Sequence, residues 1–175
     1  TTDNIIDFRA GANSNTLNFL GNITSEGINA RAFIFTNNDG NTLSMTGNIV
    51  TEGNFAEGVR LNANATNTII NITGSISTSG SLAHGILLNN GSDTNTTTIL
   101  GNITTTGSNS RGIDVVEADS NTTTMTGNIT TSGHGIHIYR GLSNTTTVSG
   151  NISTSGYGVD SVRLAESHSN ITSIT

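Results

Sequence analysis

The sequence predicts an all-β chain: a right-handed parallel β-solenoid (β-helix) with three strands per coil and about 26 residues per coil. Three observations predict it. The tripeptide Gly-Asn-Ile begins at Gly21, Gly47, Gly101, Gly127 and Gly150, with Gly-Ser-Ile at Gly74, giving intervals of 26, 27, 27, 26 and 23. Between these anchors apolar and polar residues alternate with period two, the mark of half-buried strands. Thr, Asn, Ser and Gly supply 97 of the 175 residues, and all four are poor helix formers.

An Asn stands six residues before most anchors: Asn15, Asn41, Asn95, Asn121 and Asn144, with Asn67 one residue out. The first strand follows it. Its apolar positions are Leu17/Phe19, Leu43/Met45, Ile70/Ile72, Thr97/Ile99, Thr123/Met125 and Thr146/Val148. The anchor Gly turns the chain into a short second strand, which contributes Ile23, Ile49, Ile76, Ile103, Ile129 and Ile152. A second Gly stands six residues after each anchor, and a third strand follows. Its apolar pairs are Phe33/Phe35, Val59/Leu61, Ile86/Leu88, Ile113/Val115 and Ile136/Ile138.

One such triplet cannot bury its apolar side alone. Stacking equivalent triplets buries all of them in one column. Neighbouring coils then pair as parallel strands, and six coils make a rod on the order of 30 Å long. Parallel crossovers favour right-handed winding. Four of the five Phe precede position 36, which predicts a wider core at that end.

The corner before the third strand varies in length. Four residues, such as Ser108 to Arg111, occupy it in most coils. In the last two full coils one residue is expected there, His134 or Tyr157, which marks the corner as a surface loop. The repeated Asn are read as corner residues whose amides bond along the stack. Eleven Asn-x-Ser/Thr sequons arise from the same repeat, with glycosylation as their second reading.

Composition excludes several classes. Without Cys there is no disulfide scaffold and no thiolate metal site. A net charge of −6, with six Arg and no Lys, leaves no footprint for nucleic acid or anionic lipid. No apolar run approaches the roughly 20 residues of a membrane helix, so no direct membrane insertion is expected. Residues 1–175 read as a single β-solenoid domain, either a segment of a longer repeat protein or one subunit of a filament. A chain that begins at Thr1 reads as a processed product or a fragment.

Side-chain chemistry gathers in two columns. A variable contact column precedes the third strand: Arg31, Glu57, His84, Arg111, His134 and Tyr157. Its variety contrasts with the uniform Thr and Asn faces, as a ligand-contacting edge would. Inside the strand, Asp114, His137 and Asp160 are expected to stack as an exposed charge ladder, opposite charges being mildly favourable on neighbouring strands. Such a trio could also be a metal or acid/base site. Asp93 and Asp119 share a repeat position where two carboxylates could invite calcium, although a solvated turn is the simpler reading. Outward Thr96/Thr98, Thr122/Thr124 and Thr145/Thr147 form a flat Thr ladder over three coils. Such ladders resemble those of ice-binding proteins. No cofactor or metal is expected, and scattered carboxylates argue against an enzyme.

Repeats such as LGNITTTGSNSRGIDV (Leu100 to Val115) and MTGNITTSGHGIHI (Met125 to Ile138) resemble passenger regions of bacterial autotransporter and hemagglutinin-like adhesins. The resemblance implies a secreted or surface-displayed fibre, extracellular, non-enzymatic and adhesive. Its partners would be itself, end to end or laterally, or a surface ligand such as a glycan or protein. The alternatives are a carbohydrate-active β-helix enzyme and a Thr-ladder ice-binding protein.

Overall fold

The computed structural model describes residues 4–156 and 158–175. All regular structure among them is β, arranged as three parallel sheets that wind through about six turns. First strands run Thr16–Leu20, Thr42–Thr46, Ile69–Thr73, Thr96–Leu100, Thr122–Thr126, Thr145–Ser149 and Ile171–Ile174. Second strands run Ile23–Ser25, Ile49–Thr51, Ile76–Thr78, Ile103–Thr105, Ile129–Thr131 and Ile152–Thr154. Third strands run Ile6–Phe8, Phe33–Thr36, Val59–Asn62, Ile86–Asn89, Ile113–Val116, Ile136–Tyr139 and Val162–Ala165. Within each sheet every strand pairs in parallel with its equivalent one coil away.

The register makes identical positions stack. Ile103 lies between Ile76 and Ile129, and Ile99 between Ile72 and Met125. The inward side chains form one continuous apolar column, almost wholly closed to water. The Phe-rich end is packed by stacked Phe8 and Phe35 rings, with centroids 4.5 Å apart, and by Phe19 edge-on to Phe33. The second strand's inward Thr are buried but satisfied: Thr51, Thr78 and Thr105 donate to the carbonyls of Ala56, Ala83 and Ser110.

Two Asn ladders run along the stack. In the inner one, the N–H of Asn95 donates to Asn121 Oδ1, that of Asn121 to Asn144 Oδ1, and that of Asn144 to Asn170 Oδ1. Asn95 and Asn144 also donate from Nδ2 to the carbonyls of Ala65 and Ala118. These three sequon Asn, at 95, 121 and 144, are buried and have no exposed amide to glycosylate. The outer ladder is exposed and runs the other way: the N–H of Asn128 donates to Asn102 Oδ1, and that of Asn151 to Asn128 Oδ1.

The inner ladder has one gap. Asn67 lies one residue early, so Thr68 occupies the column. Thr68 reaches no ladder amide below it, and the buried Asn41 Nδ2 is left without a partner. Thr68→Asn restores an acceptor facing Asn41. We expect it to raise stability by about 1 kcal/mol, the net worth of a regained buried hydrogen bond, measured by urea unfolding.

The corner lengths differ from the sequence expectation in one coil. Gly133 is followed by a single residue, His134, as expected. After Gly156 the corner is full length again, and the third strand begins at Val162. The physical reason is pairing: the N–H of Gly135 donates to the Asp160 carbonyl, and that of Ile136 to the Ser161 carbonyl. Ser161 therefore takes the position held by Gly58, Gly85, Gly112 and Gly135 in earlier coils, and among the described residues one coil alone is short.

Candidate functional site

Polar chemistry concentrates on the outer side of the third sheet. The corner column is real and continuous. The N–H groups of Gly58, Gly85, Gly112 and Gly135 donate to the carbonyls of His84, Arg111, His134 and Asp160. The column therefore runs Arg31, Glu57, His84, Arg111, His134, Asp160. Tyr157, expected as its last member, lies outside the described residues.

The strand column needs a larger correction. Asp114 pairs with His137 as expected, but His137 pairs with Arg163, not Asp160. The restored corner displaces Asp160 by three residues, out of the strand. Nor is the ladder exposed. Asp114 is 1% exposed and His137 7%. The corner side chains fold back over the strand and cover it, so Arg31, Glu57 and His84 are buried too.

Two clusters result. In the first, Arg31 Nε donates to Glu57 Oε2, and Arg60 Nη1 lies 3.8 Å from Glu57 Oε1. Burial pushes the Glu57 carboxyl above its usual range, and the charges of Arg31 and Arg60 offset only part of that.

The second cluster centres on Asp114. His137 Nδ1 lies 2.8 Å from Asp114 Oδ1, and Arg111 Nη1 donates to Asp114 Oδ2 at 2.7 Å. His84 Nε2 lies 3.5 Å from Oδ2. Burial alone would oppose ionisation of Asp114. The His137 hydrogen bond, His84 and Arg111 outweigh it and hold the carboxyl below its usual range. An ionised Asp114 requires a proton on His137 Nδ1, so in the neutral ring Nε2 keeps the lone pair. His84 is fixed in the opposite tautomer, because its Nδ1 accepts the N–H of Arg111 at 2.9 Å. Burial lowers its pKa to about 4, so His84 is neutral at neutral pH.

Rings continue along the coil. His134 stacks on His137 with centroids 5.5 Å apart, and His137 on Tyr139 at 6.2 Å. Arg140 caps the Tyr139 ring at 4.8 Å and pairs with Glu166 and Glu117. An open cleft of about 430 Å³ lies over these rings, bounded by Arg111, Arg163 and Glu166.

Sequence reasoning placed Arg60 in the strand column and missed Arg163 and Tyr139. A signal for Arg163 was present: Val162-Arg163-Leu164 repeats Val59-Arg60-Leu61. The change from Gly58 to Ser161 before that triplet hid it. Tyr139 follows from alternation, two residues beyond His137 on the same face.

The other candidates resolve as structure. Asp93 Oδ1 accepts the N–H of Asp119, and Asp119 Oδ1 accepts the N–H of Leu142, so these carboxylates rung a third ladder. The Thr rows are in register, Thr96 with Thr122 and Thr145, and Thr98 with Thr124 and Thr147. They end against Ile69 and Asn71 on one side and Ile171 and Ser173 on the other. Phe55 and Leu82, exposed at the corner tips, hold φ of 56° and 55°, a left-handed conformation that their equivalents Asn29 and Asn109 take more easily.

No family model matches the chain, and no curated protein or solved structure matches it.

Proposed function

We propose that this chain is a non-enzymatic structural and adhesive element of a secreted or surface-displayed fibre. It is a stiff stalk of the bacterial autotransporter or hemagglutinin-like kind, extracellular, with its contacts on the corner before the third strand. One observation carries the reading. Two faces bear repetitive Thr, Ser and Asn, while the varied charged and aromatic side chains share a single sheet and its corner. A spacer with one contact edge needs that division.

Stiffness supports it: three sheets and the Asn ladders tie every coil to the next, so bending must stretch many hydrogen bonds at once. Unpaired edges at Thr16–Leu20 and Ile171–Ile174 offer templates on which further coils, of this or another chain, can stack. Electron microscopy of the purified chain, with labelled chain applied to intact cells, tests the reading. Straight rods that associate or coat cells are expected. Short monomers that bind no surface would overturn it.

One observation favours a second reading, a carbohydrate-active enzyme. Buried Asp114 orients His137 in the manner of a general base beside an open cleft. Release of reducing ends from polysaccharides, lost in His137→Gln, would replace the first reading with this one.

A further inference from the structure

We propose that the shortened coil creates a binding groove for an oligosaccharide bearing carboxylate groups. This deepens the contact role proposed above and rests on it, by naming one site and one ligand class.

The groove exists because three residues are missing. The corner loops Ser81–His84 and Ser108–Arg111 lie on one side, and Val159 and Asp160 on the other. Between them the coil turns through His134 alone, with the N–H of Gly133 drawn in to the Ser110 carbonyl. The result is a notch of about 290 Å³, lined by Leu82, Asn109, Arg111, Gly133, His134 and Val159. Arg111 and His134 also line the cleft over His137 and Tyr139. The two hollows therefore adjoin across Arg111 and His134, from the corner to the third sheet.

The lining states what fits. Arg111 and Arg163 stand on opposite sides of the short coil, two of six Arg in a chain of net charge −6. Arg163 is exposed and forms no ion pair among the described residues. Burial, and beside it the charges of Arg111 and Arg163, lower the His134 pKa. The nearby carboxylates are occupied: Asp114 is held by His137 and Arg111, and Glu166 by Arg140. Asp160, 3.8 Å from His134, is the one acidic group at the rim without an Arg among the described residues. A planar guanidinium takes a carboxylate through two parallel hydrogen bonds.

Between the arginines the floor is hydrogen-bonding rather than apolar. His134 Nδ1 accepts the Asp160 N–H at 2.9 Å, so a neutral His134 carries its proton on Nε2 and donates from there. His137 in its neutral form supplies an acceptor, and Tyr139 a hydroxyl that both donates and accepts. Donors and acceptors in a row suit the hydroxyls of a sugar chain. Nucleic acid would need a longer run of cations. A peptide would need pockets for apolar side chains, and the cleft over His137 and Tyr139 is lined mainly by polar ones.

The test titrates the full chain with oligogalacturonate, neutral dextran oligosaccharide and oligoglutamate, by calorimetry at low and moderate salt. Oligogalacturonate alone is expected to bind, more weakly as salt rises. Arg163→Gln should weaken it at least tenfold with unchanged melting temperature, and Arg163→Lys should restore part. Inserting Ser-Asn-Ser before His134 rebuilds a full corner, fills the notch and should also cost at least tenfold. Equal binding of oligoglutamate or dextran, no binding of oligogalacturonate, or indifference to both variants overturns the proposal. If the chain still coats cells in that case, the adhesive reading stands and only this groove is wrong.

Discussion

Gly107→Ala is expected to unfold the rod or destabilise it by more than about 4 kcal/mol, far above a typical point substitution. The reason is contact between coils. Gly53, Gly80 and Gly107 follow the second strands and stack directly on one another. A Cβ on Gly107 would overlap the carbonyl oxygen and carbon of Gly80 and stand 2.8 Å from the Ser79 carbonyl oxygen. These are backbone atoms, fixed by the ladder on both sides, and no rotamer change relieves them. Accommodating one methyl means separating two coils, which breaks several parallel hydrogen bonds and opens the apolar column. Gly158→Ala is the control. Its Cβ would meet nothing within 4 Å, so only its φ of 67° opposes the change, at about 1 kcal/mol. Thermal melting and urea unfolding of the two variants separate the effects. Equal small losses would show that the coils are not seated this closely.

The Gly repeat was legible in the sequence, but its cause was not. A recurring Gly at a corner reads equally well as a left-handed turn or as a close approach. Only the seating of coil on coil distinguishes Gly107, which needs the space, from Gly158, which needs the angle. The strands were legible for a stronger reason. Period-two alternation of Ile, Val and Leu repeated six times leaves one way to bury every apolar residue at once. Their register followed wherever an anchor Gly marked it.

Register failed where the marker changed. Ser161 stands where the repeat expects Gly, so a one-residue corner at Tyr157 would start the third strand near Val159, whereas it starts at Val162. That shift carried Asp160 into the strand column and left Arg163 out of it. The burial of the site was not legible either. Alternation says that Asp114 and His137 face away from the core, and they do. It does not say that Arg111 and His84 lie back across the same strand and close it from water. Outward in a solenoid means away from the axis, and a long corner can still cover that face.

This covering layer gives the chain a predicted acid sensitivity. Neutral His84 is held by two contacts at once: its Nδ1 takes the Arg111 N–H, and its Nε2 faces Asp114. Protonation must break the first bond and place a buried cation beside Arg111, Arg60 and His137, with only Asp114 to offset them. The unfolded chain binds the same proton at the ordinary 6.5, whereas the folded one waits until about 4. Between those values the unfolded state holds more protons, so stability falls as pH falls. The His84 contribution is complete above pH 6.5 and lost by about pH 4, and amounts to on the order of 3 kcal/mol. Asp114 acts lower: its depressed pKa adds stability above 3.8 that disappears as the pH drops through its folded value. Glu57 works the other way, because its raised pKa makes the folded chain relatively more stable once it is protonated. His84→Asn separates these contributions. The Asn Oδ1 can keep the Arg111 N–H satisfied without titrating, so the variant should cost at most about 1 kcal/mol at pH 7.5. Its unfolding free energy should then decline less than that of the parent chain from pH 6.5 to 4.5, where Glu57 and His134 act equally in both chains, and both should weaken together below pH 4. Parallel curves through the upper window would mean that His84 is not the buried neutral group this geometry requires.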